Sequence, residues 1–129
     1  MNAVPTIKTK KGIIKLPCMM PVLVPMEKVM ANNYNPNHVS ENNMLLLLQS
    51  IIDNGFCFPV VTIYDSEIDR YVVIDGFHRY LIFKDYLEAD CIPVVILEHT
   101  LAERMAATVQ FNRARGVHQT DLMGDLVQA

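Results

Sequence analysis

The stretch Val72-Val-Ile-Asp-Gly-Phe-His-Arg-Tyr80 is typical of a strand that turns at a glycine and continues as a helix. Three β-branched residues precede Asp75-Gly76, and apolar side chains recur at helical spacing from Phe77 onward. Backbone N–H groups at such a turn lie at the positive end of the helix, where anions bind. His78 and Arg79 add two side chains suited to phosphate. The spacing leaves a second interpretation open, an ordinary turn followed by two solvated residues.

The segments around this stretch carry further strand patterns. Residues 59–64 and 71–74 are β-branched and aromatic, and the polar residues 65–69 between them predict an antiparallel hairpin. Residues 91–97 form a continuous apolar run, which predicts a buried central strand. Residues 19–24 are apolar and flanked by prolines, which predicts a short edge strand. These strands are expected to form one mixed sheet.

Helix signals separate the strands. Ser40 is suited to cap a helix that ends near Asn54, and Gly55 follows where a left-handed residue is favourable. Its expected buried face carries Leu45, Leu48, Ile51 and Ile52. Two more helices are predicted, at residues 100–112 and 120–127. With the helix that follows Gly76, the pattern is α+β: a single domain with a mixed sheet and three to four helices.

Length and charge restrict the class of protein. A chain of 129 residues has room for one compact domain, and 51% hydrophobic residues exclude a disordered chain. The net charge of -3 argues against a surface that is basic overall. Residues 1–12 are polar and basic and are interpreted as a flexible N-terminal tail, and residues 13–129 as the domain.

Cysteine usage and hydropathy indicate a compartment. The three cysteines are far apart and show neither disulfide nor zinc spacing, so no metal site is predicted and a reducing cytoplasm is expected. Cys57 lies between two phenylalanines and is expected to be buried. No apolar stretch reaches the roughly 20 residues of a membrane helix, and no signal peptide is recognisable. No contact with a membrane is therefore expected.

A second basic cluster is Asn112-Arg-Ala-Arg-Gly-Val-His118, near the expected end of a helix. Arginine at a helix C-terminus stabilises it by about 0.3–1 kcal/mol, and Gly116 is an ordinary stop signal. On spacing alone, this structural interpretation is favoured. A functional role requires Arg113 and Arg115 to fold back toward the Gly76 turn.

Three motifs in order resemble the ParB N-terminal-like domain, which sulfiredoxin and a free serine kinase share. The resemblance covers residues 19–119. The first motif extends from Val24-Pro-Met-Glu-Lys-Val29 to Pro59-Val-Val61 and includes Leu48-Gln-Ser-Ile51. The second is Asp75-Gly-Phe-His-Arg79, similar to a phosphate loop that ends in arginine, and the third is Gln110-Phe-Asn-Arg113. The expected fold is therefore the ParB/sulfiredoxin type.

The resemblance implies a nucleotide pocket for CTP, ATP or ADP, with or without magnesium. Its predicted phosphate and nucleotide contacts are Ser50, Asp75, Gly76, Phe77, His78, Arg79, Asn112, Arg113 and Arg115, among which Arg115 is left open. It also reverses the structural interpretation of Asn112 and Arg113. The base of the nucleotide is not specified.

Departures from the family pattern limit the activity that is expected. The catalytic cysteine of sulfiredoxin is replaced by Phe77, so sulfinic acid repair is not expected. The kinase has a carboxylate in the loop after its first strand, and residues 31–37 contain none. Where CTP-binding ParB proteins have an acid and a basic residue, this chain has Phe77-His78. No catalytic residue is therefore assigned.

The chain is most similar to short IbrB-type proteins, which are ParB-like, associated with phages and plasmids, and linked to gene activation. That resemblance implies a partner similar to phosphoadenosine-phosphosulfate reductase, and a separate helix-turn-helix DNA reader, as in partition proteins, is not expected. DNA contact and homodimer formation stay open. The leading hypothesis is a nucleotide-binding regulator of transcription. The alternative is a small-molecule kinase or phosphohydrolase with Glu27, Glu41 or Asp75 as base, and a ParB-like nuclease is the last.

Overall fold

The computed structural model describes residues 4–31, 39–98, 110, 111 and 113. Seven strands lie in these ranges: β1 (Thr6–Thr9), β2 (Gly12–Lys15), β3 (Val22–Pro25), β4 (Val29–Ala31), β5 (Val60–Asp65), β6 (Arg70–Asp75) and β7 (Cys91–Leu97). Helix α1 spans Glu41–Asn54, and α2 (Phe77–Leu81) continues into a π-helical segment, Ile82–Tyr86. Short 3₁₀ turns occupy Pro17–Met19 and Met26–Lys28.

The main sheet has five strands in the order β3-β7-β5-β6-β4. Strand β5 is antiparallel to β6 and parallel to β7, while β3 is antiparallel to β7 and β4 is parallel to β6. The predicted hairpin of β5 and β6 is confirmed, and so are the central position of β7 and the edge position of β3. The mixed α+β fold predicted from the sequence is therefore confirmed.

The hydrophobic core is centred on β5 and β7. Val60, Ile92 and Val94 are fully buried. Thr62 is also fully buried, and its hydroxyl donates to the carbonyl of Val95 at 3.1 Å, so that burial does not leave the hydroxyl without a hydrogen bond. The buried central strands thus fix the position of β6, and with it the position of the Gly76 turn at the end of that strand.

Helix α1 begins and ends where the sequence predicts. The Ser40 hydroxyl accepts a hydrogen bond from the Asn43 amide at 3.2 Å, and Gly55 follows the last turn with φ 82°. The predicted buried face is wrong by part of a turn, since Leu45 and Ile52 are 47% and 59% exposed. Met44 is buried instead, and the half-buried residues Leu47, Leu48 and Ile51 complete that face. Their i, i+3, i+4, i+7 spacing is an equally regular stripe, and no periodicity chooses between the two.

Two other predictions concern the burial of Cys57, which is wrong, and the two helices near the C-terminus. Cys57 is exposed, and so is its neighbour Phe58, because the chain between Gly55 and β5 runs along the surface. The described ranges contain two α-helices. The other two predicted helices, at residues 100–112 and 120–127, fall almost wholly outside the described residues. The structure describes Gln110 and Phe111 of the first, and both are helical, as is Arg113 just after it.

Residues near the N-terminus form a hairpin that the sequence pattern did not predict. Strands β1 and β2 pair antiparallel as a separate two-stranded sheet, with Ile7 opposite Ile14. The hairpin straddles residue 12, where the boundary between tail and domain was predicted. That boundary stays a prediction.

Candidate functional site

The turn that joins β6 to α2 is built around Gly76. This buried residue has φ 96° and ψ 29°, a left-handed conformation that favours glycine. The Tyr80 amide donates to the Gly76 carbonyl at 2.9 Å, which closes the first helical turn. Helical backbone then continues to Tyr86. Because the first N–H groups of a helix have no acceptor within it, the turn presents donors at the positive end of α2.

The guanidinium of Arg79 folds back over Gly76. A Cβ atom on Gly76 would lie 2.7 Å from Arg79 Nη2 and 3.1 Å from Cζ, so a side chain would displace the arginine. Arg79 Nη2 also donates to the Pro59 carbonyl at 3.4 Å, and the residue is half-buried. Glycine is therefore needed here for its backbone conformation and for the space that the arginine occupies. The result is a cationic fork fixed beside the N-terminus of a helix.

Phe77 and His78 lie between these groups. Their rings meet edge to face with centroids 5.6 Å apart, and both residues are half-buried. Phe77 packs against the main core, with its ring centroid 6.3 Å from that of Tyr80. The phenylalanine therefore anchors the turn in the core, and His78 is the second basic side chain at the turn. Asp75, the last residue of β6, is half-buried and lies opposite Val61 in the sheet.

Two contacts that sequence reasoning missed connect α1 and the loop after it with the helical segment that follows the turn. The Tyr86 hydroxyl is within 3.0 Å of Glu41 Oε1 and 2.9 Å of Oε2, and it donates to this carboxylate. That hydrogen bond raises the pKa of Tyr86, because the carboxylate stabilises the protonated phenol. The rings of Phe56 and Phe83 also pack with centroids 4.5 Å apart. Contacts between residues this distant in sequence leave no local spacing signal.

The remaining predicted contacts are less well defined. Ser50 is exposed on α1, and its carbonyl accepts from Asn54 Nδ2 at 3.2 Å. Arg113 is helical and exposed. Asn112 and Arg115 lie outside the described residues. The structure thus brings Asp75, Gly76, Phe77, His78 and Arg79 together in one turn, and the contribution of the other four residues stays a prediction.

The described ranges contain neither a metal-binding cluster nor a membrane-spanning helix. No group of three or more histidine, cysteine or acidic side chains in these ranges is arranged to hold a metal ion. No helix in them is long and apolar enough to cross a membrane.

Comparison with known proteins assigns the family. The model of the ParB N-terminal domain matches residues 18–112, most of the chain, and this range contains the Gly76 turn. The chain belongs to the ParB N-terminal domain family. It is 38% identical over 106 residues to the uncharacterized protein YbdM of Escherichia coli K12, a match that covers 78% of this chain and 50% of YbdM. The chain thus spans about half the length of this curated relative.

Solved structures show the same fold. Truncated ParB of Caulobacter crescentus in complex with CTP-gamma-S superposes with a TM-score of 0.63 and 17% identity, covering 76% of this chain and 53% of ParB. Sulfiredoxin of Arabidopsis thaliana gives 0.57 and 24% identity, covering 70% of this chain and 97% of sulfiredoxin. A free serine kinase in complex with AMP gives 0.52 and 22% identity, covering 63% of this chain and 32% of the kinase. At these identities the likeness is one of fold.

Proposed function

We propose that the Gly76 turn of this ParB-family chain binds the phosphates of a nucleotide, and that the chain acts as a nucleotide-responsive regulator. The observation that carries the proposal is the position of Arg79, whose guanidinium lies over Gly76 at the start of α2. A planar fork of donors at the positive end of a helix suits a phosphate, because a guanidinium can donate two parallel hydrogen bonds to its oxygens. The CTP-gamma-S and AMP complexes of two structural neighbours support a nucleotide as the source of that phosphate.

The chemistry around the turn favours binding over catalysis. Phe77 stands at the position before the His-Arg pair, and a phenyl ring can act neither as a nucleophile nor as a base. Glu41, one of the candidate bases, accepts a hydrogen bond from Tyr86. In the proposed function, Asn112, Arg113 and Arg115 close on the bound nucleotide from the C-terminal segment, and Ser50 contributes from α1. The nucleotide thereby controls how residues 112–118 meet a partner or DNA.

The finer biological role rests on the resemblance to IbrB-type proteins. In that role the chain is a transcriptional co-activator carried by a prophage or plasmid, acting with a partner similar to phosphoadenosine-phosphosulfate reductase. Self-pairing belongs to the same proposal.

Calorimetric titration of the full chain with CTP, ATP and ADP, with and without magnesium, tests the proposal. We expect one of the three to bind, and Arg79→Ala to weaken its affinity at least about tenfold, because a hydrogen bond to a charged group contributes about 1.5–3 kcal/mol. Arg70→Ala is the matched control. It removes the same side chain at the opposite end of β6, where the guanidinium donates to the Asp69 carbonyl at 2.9 Å, and it should leave affinity unchanged. Absence of binding at millimolar concentrations of all three nucleotides would refute the proposal.

A small-molecule kinase or phosphohydrolase is the second candidate. The observation that favours it is the half-buried carboxylate of Asp75 at the first position of the turn, where a base beside bound phosphates would be needed. Incubation with ATP or ADP and hydroxyl acceptors such as serine should then yield product that Asp75→Asn abolishes. Nucleotide binding without turnover would support the regulatory function and contradict the enzymatic one.

A further inference from the structure

The β1–β2 hairpin carries a concentration of positive charge that the nucleotide site does not use. Its four lysines are exposed, and residues 1–15 contain no acid. The rest of the chain holds seven bases and 14 acids, so its net charge is -7 against +4 for the hairpin region. Within the described ranges, the salt bridge that forms joins Lys28 to Asp69, and none involves a hairpin lysine. The hairpin is thus a basic element on an acidic protein. The four residues are Lys8, Lys10, Lys11 and Lys15.

The tip of the hairpin is held in a defined conformation. The Thr9 hydroxyl donates to the Gly12 carbonyl at 2.7 Å and accepts from the Lys11 amide at 3.1 Å. Gly12 has φ 117°, which a residue with a Cβ atom rarely adopts. Lys10 and Lys11 therefore project from an ordered turn. An ordered turn loses less conformational entropy on binding than a flexible lysine tail.

The strand register separates the side chains into two faces. Lys15 lies opposite Thr6 and Lys8 lies opposite Ile13, so the two lysines share a face. The pair Ile7 and Ile14 occupies the other face. All eight strand residues are exposed, which shows that neither face is covered by the core. The hairpin therefore presents four ammonium groups from its tip and one face.

We propose that the β1–β2 hairpin binds the phosphate backbone of double-stranded DNA, independently of the Gly76 turn. A two-stranded ribbon fits the major groove of B-form DNA, whose phosphates are neutralised by lysine. Because the remainder of the chain has a net charge of -7, we expect the hairpin to make the main contact with the duplex. An anionic membrane suits it less, because interfacial segments insert their apolar residues, and here Lys10 and Lys11 occupy the tip.

Fluorescence anisotropy with the full chain and a labelled duplex of mixed sequence, about 24 base pairs long, tests this proposal through its salt dependence. Four phosphate contacts predict that log Kd rises with log salt with a slope of about 3–4. Lys10→Ala with Lys11→Ala should lower the slope by about 2 and weaken binding at least about tenfold at low salt. The double arginine variant at the same positions should bind as the wild type does, because the charges are kept.

A charge-matched control separates a local contact from the overall field. Asn42→Glu with Ser66→Glu makes the net charge more negative by the same two units at exposed positions outside the hairpin. This control should retain the salt slope, and circular dichroism should show that all variants are folded. Nucleotide binding by the Lys10→Ala, Lys11→Ala variant should be unchanged, so that failure of one site is distinguishable from failure of the other.

Several results would overturn the proposal. One is absence of duplex binding at low salt, and another is an equal loss of binding in the charge-matched control. A third is binding to vesicles that contain anionic lipid but not to the duplex. A fourth is a dimer that dissociates with salt and with the lysine substitutions, because the basic hairpin would then bind the acidic surface of a second copy of this chain.

Discussion

The two ends of β6 both turn through a left-handed residue, and they use it differently. At the start of the strand Asp69 has φ 52°, and its carboxylate accepts hydrogen bonds from Lys28 and from the Tyr64 hydroxyl. At the other end Gly76 has φ 96°, and the space that a side chain would fill is taken by the guanidinium of Arg79. The Asp69 turn is thus stabilised by hydrogen bonds to its own side chain. The Gly76 turn has no side chain at that position, and the guanidinium of a nearby arginine fills the space.

This difference separates a structural turn from a candidate site. The Asp69 turn is exposed, and its carboxylate forms a salt bridge with Lys28. This salt bridge connects the β5–β6 hairpin to the 3₁₀ turn that contains Lys28. At the Gly76 turn, by contrast, the glycine is buried and the half-buried Arg79 places its guanidinium at the positive end of a helix. Charged residues at a turn are thus no sign of function by themselves. What distinguishes the Gly76 turn is a guanidinium that lies over a glycine at the start of a helix.

The largest expected effect is that of Gly76→Ala. A left-handed alanine costs about 1–2 kcal/mol. The Cβ atom would also displace the Arg79 guanidinium, which is the flexible end of its side chain, and so cost its hydrogen bond to the Pro59 carbonyl, about 0.5–1.5 kcal/mol more. We therefore expect the free energy of unfolding to fall by about 1.5–3.5 kcal/mol, measured by urea denaturation, together with loss of nucleotide binding.

A double-mutant cycle tests the cause. In an Arg79→Ala background the steric part disappears, so Gly76→Ala should cost only the backbone part, about 1–2 kcal/mol. Additive costs in the two variants would show that the guanidinium does not occupy the space over Gly76. The two turns would then differ less than the structure indicates.

The next effect concerns the Asp69 turn and its pH dependence. The Lys28 amine, and after it the Tyr64 hydroxyl, lowers the pKa of Asp69 below its usual 3.8. Because the folded carboxylate holds protons less readily than the unfolded one, its contribution is complete above the unfolded pKa and is lost as the pH falls through the folded value. Asp69→Asn keeps a residue that tolerates the left-handed backbone. Its Tm should lie below that of the wild type at neutral pH and approach it toward pH ~3.

Two further variants identify the partner that lowers this pKa. The Tm difference between the wild type and Asp69→Asn should depend less on pH when Lys28→Met is added to both proteins than when Tyr64→Phe is added. The reason is that the ammonium group contributes more than the phenol does to the lowered pKa of Asp69. Parallel curves for the wild type and Asp69→Asn across the acidic range would contradict the role assigned to this carboxylate.

The strands and the Gly76 turn could be predicted because local rules determine them. A proline-flanked edge strand, a continuous apolar central strand and the Ser40 cap each follow from a few neighbouring residues, and the structure has all three. The buried face of α1 could not be chosen, since two apolar stripes share this helix. Packing of Phe56 on Phe83 joins the loop after the helix to the segment after the turn, and that contact is between residues 27 positions apart.

The β1–β2 hairpin escaped prediction for a different reason. Its strands are only four residues long, and all eight strand residues are exposed, so no buried face signals their period. The site was predictable at Asp75–Arg79, where glycine and arginine are near in sequence. The Pro59 carbonyl that receives the guanidinium was not predictable, because a backbone acceptor carries no residue signature.

The smallest expected effect concerns Tyr86 and Glu41, which connect α1 to the segment that follows the Gly76 turn. The carboxylate raises the pKa of Tyr86, so Glu41→Gln should bring that pKa back toward 10.0. Spectroscopic titration of tyrosinate, with Tyr86→Phe to identify the signal, measures the change. Since the phenol ionises at a lower pH in the unfolded chain than in the folded one, the stabilisation from this pair is present below pH 10 and is lost as the pH rises through the folded pKa.

At neutral pH, Tyr86→Phe should weaken nucleotide binding far less than Arg79→Ala, because the pair of Tyr86 and Glu41 positions α1 and touches no phosphate in the proposed site. Equal losses of nucleotide affinity in the two variants would show that α1 contributes to the binding site itself and does not only support it.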